Sequence, residues 1–163
     1  MAVRSFGSYT VEVSREDKIL FPEEHITQGE LMDYYEAVAH AMLPHLRERP
    51  LTLQRFPDGI EEKGFYQKAL PDYFPDWVER ARIPLEKGES QEQVVVEKTA
   101  TLVYLANLAT ITPHVWLSRS GDLDTPDRMV FDLDPSGDDF RPVREAALAL
   151  REIHEVAGSI GIA

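Results

Sequence analysis

The string Met129-Val-Phe-Asp-Leu-Asp-Pro135 holds the residues best suited to chemistry. Its apolar run predicts a strand over residues 129–134. A strand sends successive side chains to opposite faces, so Asp132 and Asp134 would share one face at the strand's end. Two carboxylates held that close repel each other, and a divalent cation removes the penalty. Hard oxygen ligands suit Mg²⁺ or Mn²⁺, metals that serve phosphoryl and nucleotidyl transfer, often in pairs. The alternative is a solvated loop that starts where the strand stops, since Asp-x-Asp is frequent by chance. A calcium loop fits poorly. Asp132, Asp134, Ser136 and Gly137 match the opening of an EF-hand, but Val143 stands where the bidentate acid belongs. Asp122, Asp124 and Asp127 lack the matching glycine and acid as well. A nucleotide-sugar transferase would use the same pair with Mn²⁺, but no Gly-rich nucleotide-binding segment precedes it.

These carboxylates need a scaffold. Residues 9–14 alternate like a short strand, and residues 17–22 form a compact apolar turn. Thr27 with Glu30 makes a capping box for a helix running to about Met42. Leu31, Tyr34, Tyr35, Val38 and Met42 form its predicted buried stripe, and Pro44 closes it. A strand follows over 51–56, then a tight Pro57-Asp-Gly59 turn and a returning strand over 64–68. A short turn is expected at 75–78, and a strand pair, 83–85 with 93–96, around Gly88. Thr99 is read as the cap of an apolar helix to about Leu108, with Leu102, Val103, Leu105 and Ala106 on its face. A strand over 115–118 precedes the carboxylate strand. The last helix, 141–157, turns Val143, Ala147, Leu148, Leu150 and Ile153 inward, with Gly158 as its C-cap. Strands interleaved with helices predict an α/β (α+β) domain with a mixed sheet and packed helices, as a single domain over 1–163.

Composition narrows the class. In 163 residues, 43% are hydrophobic and 28% charged, an ordinary globular balance. There is no cysteine, which excludes disulfide frameworks and cysteine-zinc sites. No apolar run reaches the roughly 18 residues of a spanning helix, and no signal peptide is visible, so a cytoplasmic protein is expected. The net charge of −12 argues against a general binder of the DNA backbone, which usually shows a basic face. Acidic residues gathered at a metal site, or basic residues in polypeptide outside this chain, would reconcile the two.

Several strings, in order and spacing, resemble the polymerase domain of bacterial ligase D, a member of the archaeo-eukaryotic primase superfamily. They are Asp17-Lys-Ile-Leu-Phe-Pro22, Arg49-Pro-Leu-Thr-Leu-Gln-Arg-Phe-Pro-Asp-Gly59, Gly64-Phe-Tyr-Gln-Lys68, Ile111-Thr-Pro-His-Val-Trp116 and Val130-Phe-Asp-Leu-Asp-Pro135. The match covers nearly all of this chain and roughly the first half of the family domain. It implies a nucleotidyltransferase for broken DNA ends, with a nucleoside triphosphate as substrate and Mn²⁺ or Mg²⁺ as cofactor. Asp132 and Asp134 would be two of three catalytic, metal-binding carboxylates. His114 and Arg55 would contact the incoming nucleotide. Phe65 and Tyr66 would pack on template bases, with one of the pair buried and the other exposed. Lys18 would hold a 5′-phosphate at a DNA gap, and Lys68 a backbone phosphate.

The same resemblance implies departures. A lysine common in the family is Gln28 here, which weakens the expected grip on the 5′-phosphate. The basic triphosphate-binding segment and the third carboxylate would follow the last helix, past Ala163. Catalysis would therefore need a partner chain or further segment, and a homodimer completing the sheet is one form of it. Ligase and Ku-type repair proteins are further expected partners. A non-catalytic module that binds DNA ends or a repair protein is the competing reading.

Overall fold

The protein is described by a computed structural model covering residues 2–159. The chain divides into two compact units, Met1–Arg128 and Met129–Ala163.

The first unit opens with an antiparallel hairpin, β1 (Ala2–Phe6) and β2 (Tyr9–Val13). Its two-residue turn uses Gly7 at φ +62°, a conformation that costs glycine nothing. The sequence pattern showed β2 but not β1. A second short pair, β3 (Ile19–Phe21) and β4 (Ile26–Thr27), leads into α1 (Gln28–Leu46). The capping box forms as expected. Thr27 Oγ1 accepts from Glu30 N at 3.2 Å, and Glu30 Oε2 accepts from Thr27 N at 2.8 Å. Pro44 does not close α1, because Leu43 and Leu46 are both buried and hold the final turn in the core. A proline so near the end forfeits one helical hydrogen bond, and packing outweighs that loss. The buried stripe is also rotated from the expected one. Met32, Ala39 and Leu43 face inward, and Tyr34 is exposed.

The main sheet has five strands: β5 (Pro50–Arg55), β6 (Phe65–Gln67), β7 (Glu79–Pro84), β8 (Ser90–Val95) and β9 (Thr110–Val115). Every pair is antiparallel. β9 pairs along β5 from Leu51 to Arg55, so it occupies one edge of that strand. β6 and β8 therefore share the other edge, β8 at Pro50 and Leu51 and β6 from Leu53 to Arg55. The hairpin around Gly88 is present, but its strands start earlier than the apolar residues alone suggest. The last strand before residue 116 is also displaced. It is β9, because α2 (Thr99–Asn107) ends in a tight turn with Ala109 at φ +55° that sends the chain straight back. Thr99 is the first helical residue, not the cap. The cap position is Lys98, whose Nζ donates to the Trp77 carbonyl at 2.9 Å.

The core lies between one face of the sheet and helices α1 and α2. Leu51, Leu53 and Val94 meet Leu31, Met32, Tyr35, Leu102 and Leu105, with Val11 and Val13 closing the side. On the opposite face, Ala81, Ile83 and Val95 are covered by Trp116 and Leu123 from the loop after β9. Arg49 ties that loop down by donating to the Leu117 carbonyl at 2.6 Å and to the Asp127 carboxylate.

The second unit holds a loop and α3 (Arg141–Ser159). Residues 129–134 form no strand. A strand exists only where a neighbour supplies ladder hydrogen bonds, and no strand pairs with this run among the described residues. Met129 is 76% exposed and Phe131 55%. The expected inner side of α3 is likewise open. Val143 and Leu150 are half-buried, and Ala147, Leu148 and Ile153 are exposed. Gly158 is within the helix and does not cap it.

Candidate functional site

Strand parity positions the first group of site residues. On β5, Leu51 and Leu53 point to the helices, so Thr52 and Gln54 must point away from them. Cross-strand register sets Tyr66 of β6 and Thr112 of β9 opposite Gln54, and His114 opposite Thr52. The Tyr66 and His114 rings lie 5.4 Å apart, tilted by 52°. His114 Nε2 is 3.2 Å from Gln54 Oε1. This open patch joins a polar strand face to an exposed aromatic ring.

The second group surrounds Arg55. Its Nε donates to the Leu108 carbonyl at 2.8 Å, and Nη1 donates to Gln67 Oε1 at 2.6 Å and to the Tyr73 hydroxyl at 3.0 Å. Its guanidinium carbon sits 5.3 Å from the Phe65 ring centroid. Among the described residues, no carboxylate forms an ion pair with it. Gln67 and Tyr73 were not legible as site residues, because the β5–β6 pairing brings the first to Arg55 and the chain after β6 brings the second. Gln54 was legible in principle from its parity with Thr52.

Phe65 is 44% exposed and Tyr66 61%, so both members of the aromatic pair face solvent. The expectation of one buried ring fails because β6 has three residues and, among the described residues, pairs only with β5, which leaves both rings in reach of solvent. Gly64 precedes them, and the Phe56 ring lies so close that a Cβ there would stand 2.5 Å from it. Lys68 is exposed just past the end of β6.

Lys18 is anchored to the turn after β5. Its Nζ donates to the Pro57 carbonyl and to Asp58 Oδ1, the latter at 3.1 Å. Gln28 is buried at the start of α1. Its amide nitrogen donates to the carbonyls of Ser14 at 2.8 Å and Asn107 at 2.9 Å. Tyr35 holds β9 from beneath. Burial pushes its phenol up to about 12, and the hydroxyl donates to the Ile111 carbonyl at 2.9 Å.

Asp132 and Asp134 belong to the second unit. They line one open depression with Ser136, Asp139 and the first turns of α3. Among the described residues neither carboxylate has a cation partner, whereas Asp139 is bonded to Arg141 at 2.8 Å. Two free carboxylates are the right chemistry for a hard divalent cation, but they are a partial set. Among the described residues, no group of three acidic or imidazole side chains is placed to hold a metal ion. No described helix is long and apolar enough to cross a membrane.

The α/β architecture with this aromatic, cationic edge is that of a primase-type polymerase domain. Over residues 27–162 the sequence matches the LigD primase-polymerase domain model, and the chain belongs to that family. It is 33% identical over 158 residues to the multifunctional non-homologous end joining DNA repair protein LigD of Mycobacterium tuberculosis (strain H37Rv), covering 91% of this chain and 21% of that protein. The bifunctional LigD of Bacillus subtilis is 34% identical over 143 residues, 87% of this chain and 22% of that protein. The solved polymerase domain of M. tuberculosis ligase D in complex with DNA superposes with a TM-score of 0.64 at 31% identity. That superposition covers 67% of this chain and 38% of the solved one. The chain thus spans about a fifth of the length of these relatives.

Proposed function

We propose that the chain is part of a DNA end-repair nucleotidyltransferase of the primase-polymerase type. The observation that carries this reading is the pairing of Tyr66 with His114 and of Phe65 with Arg55 at one end of the sheet. Exposed aromatic rings next to cationic or imidazole groups offer stacking surfaces for bases and donors for phosphates or sugars. Phe65 and Tyr66 take template bases, and Lys18 and Lys68 contact the DNA backbone. His114 and Arg55 face the incoming nucleoside triphosphate. The solved relative of similar fold is described as bound to DNA, which supports this assignment.

Asp132 and Asp134 are the catalytic pair and would hold Mn²⁺ or Mg²⁺. A divalent cation there lowers the barrier for an attacking 3′-hydroxyl and neutralises the triphosphate. The third ligand, and a neighbour for the exposed run 129–131, would come from polypeptide other than the described residues, in the same protein or in a partner. Ligase and Ku-type repair proteins are the proposed partners, and the cytoplasm the proposed site of action.

The test is a Mn²⁺ titration followed by water-proton relaxation, with Asp132→Ala/Asp134→Ala alongside. Saturable binding lost in the variant is expected. Equal binding by both proteins would remove the catalytic reading and leave a non-catalytic module for DNA ends.

A further inference from the structure

The two rings of β6 do not share a face. Cross-strand register sets Phe65 opposite Arg55 and Tyr66 opposite Gln54. Successive side chains leave a strand on opposite sides, so the rings diverge. Tyr66 goes with His114, and Phe65 with Arg55. On the Phe65 side a further ring is present, supplied by the segment after β6. The Tyr73 hydroxyl accepts from Arg55 Nη1 at 3.0 Å, and its ring is 59% exposed. One guanidinium thus lies against the exposed ring of Phe65 and is bonded to the exposed phenol of Tyr73.

Tyr73 is held in place at both ends. Pro71-Asp72-Tyr73-Phe74 makes a tight turn, closed by Phe74 N donating to the Pro71 carbonyl at 3.1 Å. Pro71 fixes its own φ, and Pro75 restricts the backbone of Phe74 before it. Phe74 is buried, and its ring centroid lies 5.4 Å from that of Tyr73. Tyr104 backs Phe74 edge-on at 5.1 Å. A core ring therefore supports Tyr73 from beneath while Arg55 pins its hydroxyl. A ring fixed this way has little conformational freedom left to lose when it binds a ligand.

Charge selects the ligand. Asp72 and Asp76 are exposed on either side of Tyr73, and the sequence from Ala69 to Val78 contains no lysine or arginine. A phosphate is repelled there, and the uncharged face of a nucleobase is not. We infer that Tyr73 stacks on an unpaired DNA base, next to the base taken by Phe65. The inference rests on the DNA-end reading, and within it lengthens the single-stranded stretch that the chain grips by one nucleotide. The contact is made by the ring, and the Arg55 bond only orients it. Stacking of this kind tolerates any base, as repair of arbitrary ends requires.

The experiment compares the whole chain with Tyr73→Ala, Tyr73→Phe and Phe65→Ala. Each is titrated by fluorescence anisotropy against duplexes whose single-stranded overhang is either one base or several bases long. Melting temperatures confirm folding. Tyr73→Ala should weaken binding to the long overhang by about tenfold, within the worth of one base–aromatic stack. It should leave the one-base overhang unchanged, and Tyr73→Phe should bind both as the wild-type chain does. In parallel, 2-aminopurine is placed at each unpaired position in turn. Its fluorescence should be quenched at one position by the wild-type chain and by Tyr73→Phe, and not by Tyr73→Ala. Loss in Tyr73→Phe equal to that in Tyr73→Ala overturns the proposal, because the hydroxyl would then act through Arg55. Equal loss on both overhangs overturns it as well, because the ring would then act through Phe65. Full affinity in Tyr73→Ala with weakened Phe65→Ala overturns the proposal and leaves the DNA-end reading standing. No overhang binding by the wild-type chain overturns both. A fluorescent nucleoside triphosphate separates the other source of a nucleobase. Tyr73-dependent binding of that nucleotide with no dependence on overhang length assigns the ring to the incoming base and overturns the proposal.

Discussion

Arg49 and Asp127, 78 residues apart in sequence, are joined in an ion pair whose arginine side chain is only 1% exposed. Arg119 grips the other oxygen of the same carboxylate at 2.7 Å and also pairs with Glu48. This fork fastens the loop after β9 immediately before Arg128, where the first unit ends. The partners are not equivalent. Asp127 is partly solvated and has a second arginine, whereas Arg49 is buried and, among the described residues, has Asp127 as its only countercharge.

Asp127→Asn should therefore lower the melting temperature more than Arg49→Met does. The first leaves a buried charge uncompensated, and the second leaves a carboxylate that Arg119 and water still satisfy. Thermal denaturation of the two variants checks this, and the reverse order would show that Arg49 acts mainly through packing.

The same carboxylate gives acid stability a specific origin. Hydrogen bonds from Arg49, and then from Arg119, hold Asp127 at about 2, below the ordinary 3.8. A depressed acid contributes stability that is complete above its unfolded value and disappears as pH falls through its folded one. Urea midpoints should fall between about pH 4 and pH 2 in the wild-type chain. The fall should be smaller in Asp127→Asn, and an identical fall would place the acid-sensitive group elsewhere.

Gln28→Ala should destabilise the first unit by about 1–3 kcal/mol, the net worth of the two amide hydrogen bonds it loses. The Ser14 and Asn107 carbonyls both lose their partner, and with them the link between β2, α1 and the end of α2. Equilibrium urea unfolding measures it. A change under about 0.5 kcal/mol would mean that water replaces the amide at no cost.

Phe65→Ala and Tyr66→Ala should leave the melting temperature nearly unchanged, because both rings are largely solvated. Each should weaken binding to DNA with a single-stranded overhang by about 1–3 kcal/mol, the worth of a base–aromatic stack. Anisotropy titrations decide it. Unchanged affinity in both variants would remove the template role from β6.

Gly64→Ala should cost about 1–3 kcal/mol by overpacking, since its methyl group would enter the Phe56 ring. The same substitution should weaken overhang binding, because it shifts the residue that delivers Phe65. Loss of stability with intact DNA affinity would confine Gly64 to packing.

Local signals in the sequence determined the elements that local chemistry specifies. The Thr27–Glu30 capping box, the Pro57-Asp-Gly59 turn, the Gly88 hairpin and the apolar face of α2 were all legible, because each depends on residues within a few positions of one another. So was the family, carried by five ordered strings. Tertiary structure decided what depends on distant neighbours. The apolar run in residues 129–134 could not make a strand without a partner, and the periodicity of α3 could not bury it. Pro44 was overruled by the burial of Leu43 and Leu46, and Tyr66 was exposed because nothing covers β6. The site divides in the same way. Residue types pointed to Asp132, Asp134, Arg55 and His114. Which donors are already committed, leaving Gln28 occupied and Lys18 neutralised, follows only from hydrogen bonds between segments far apart in the chain.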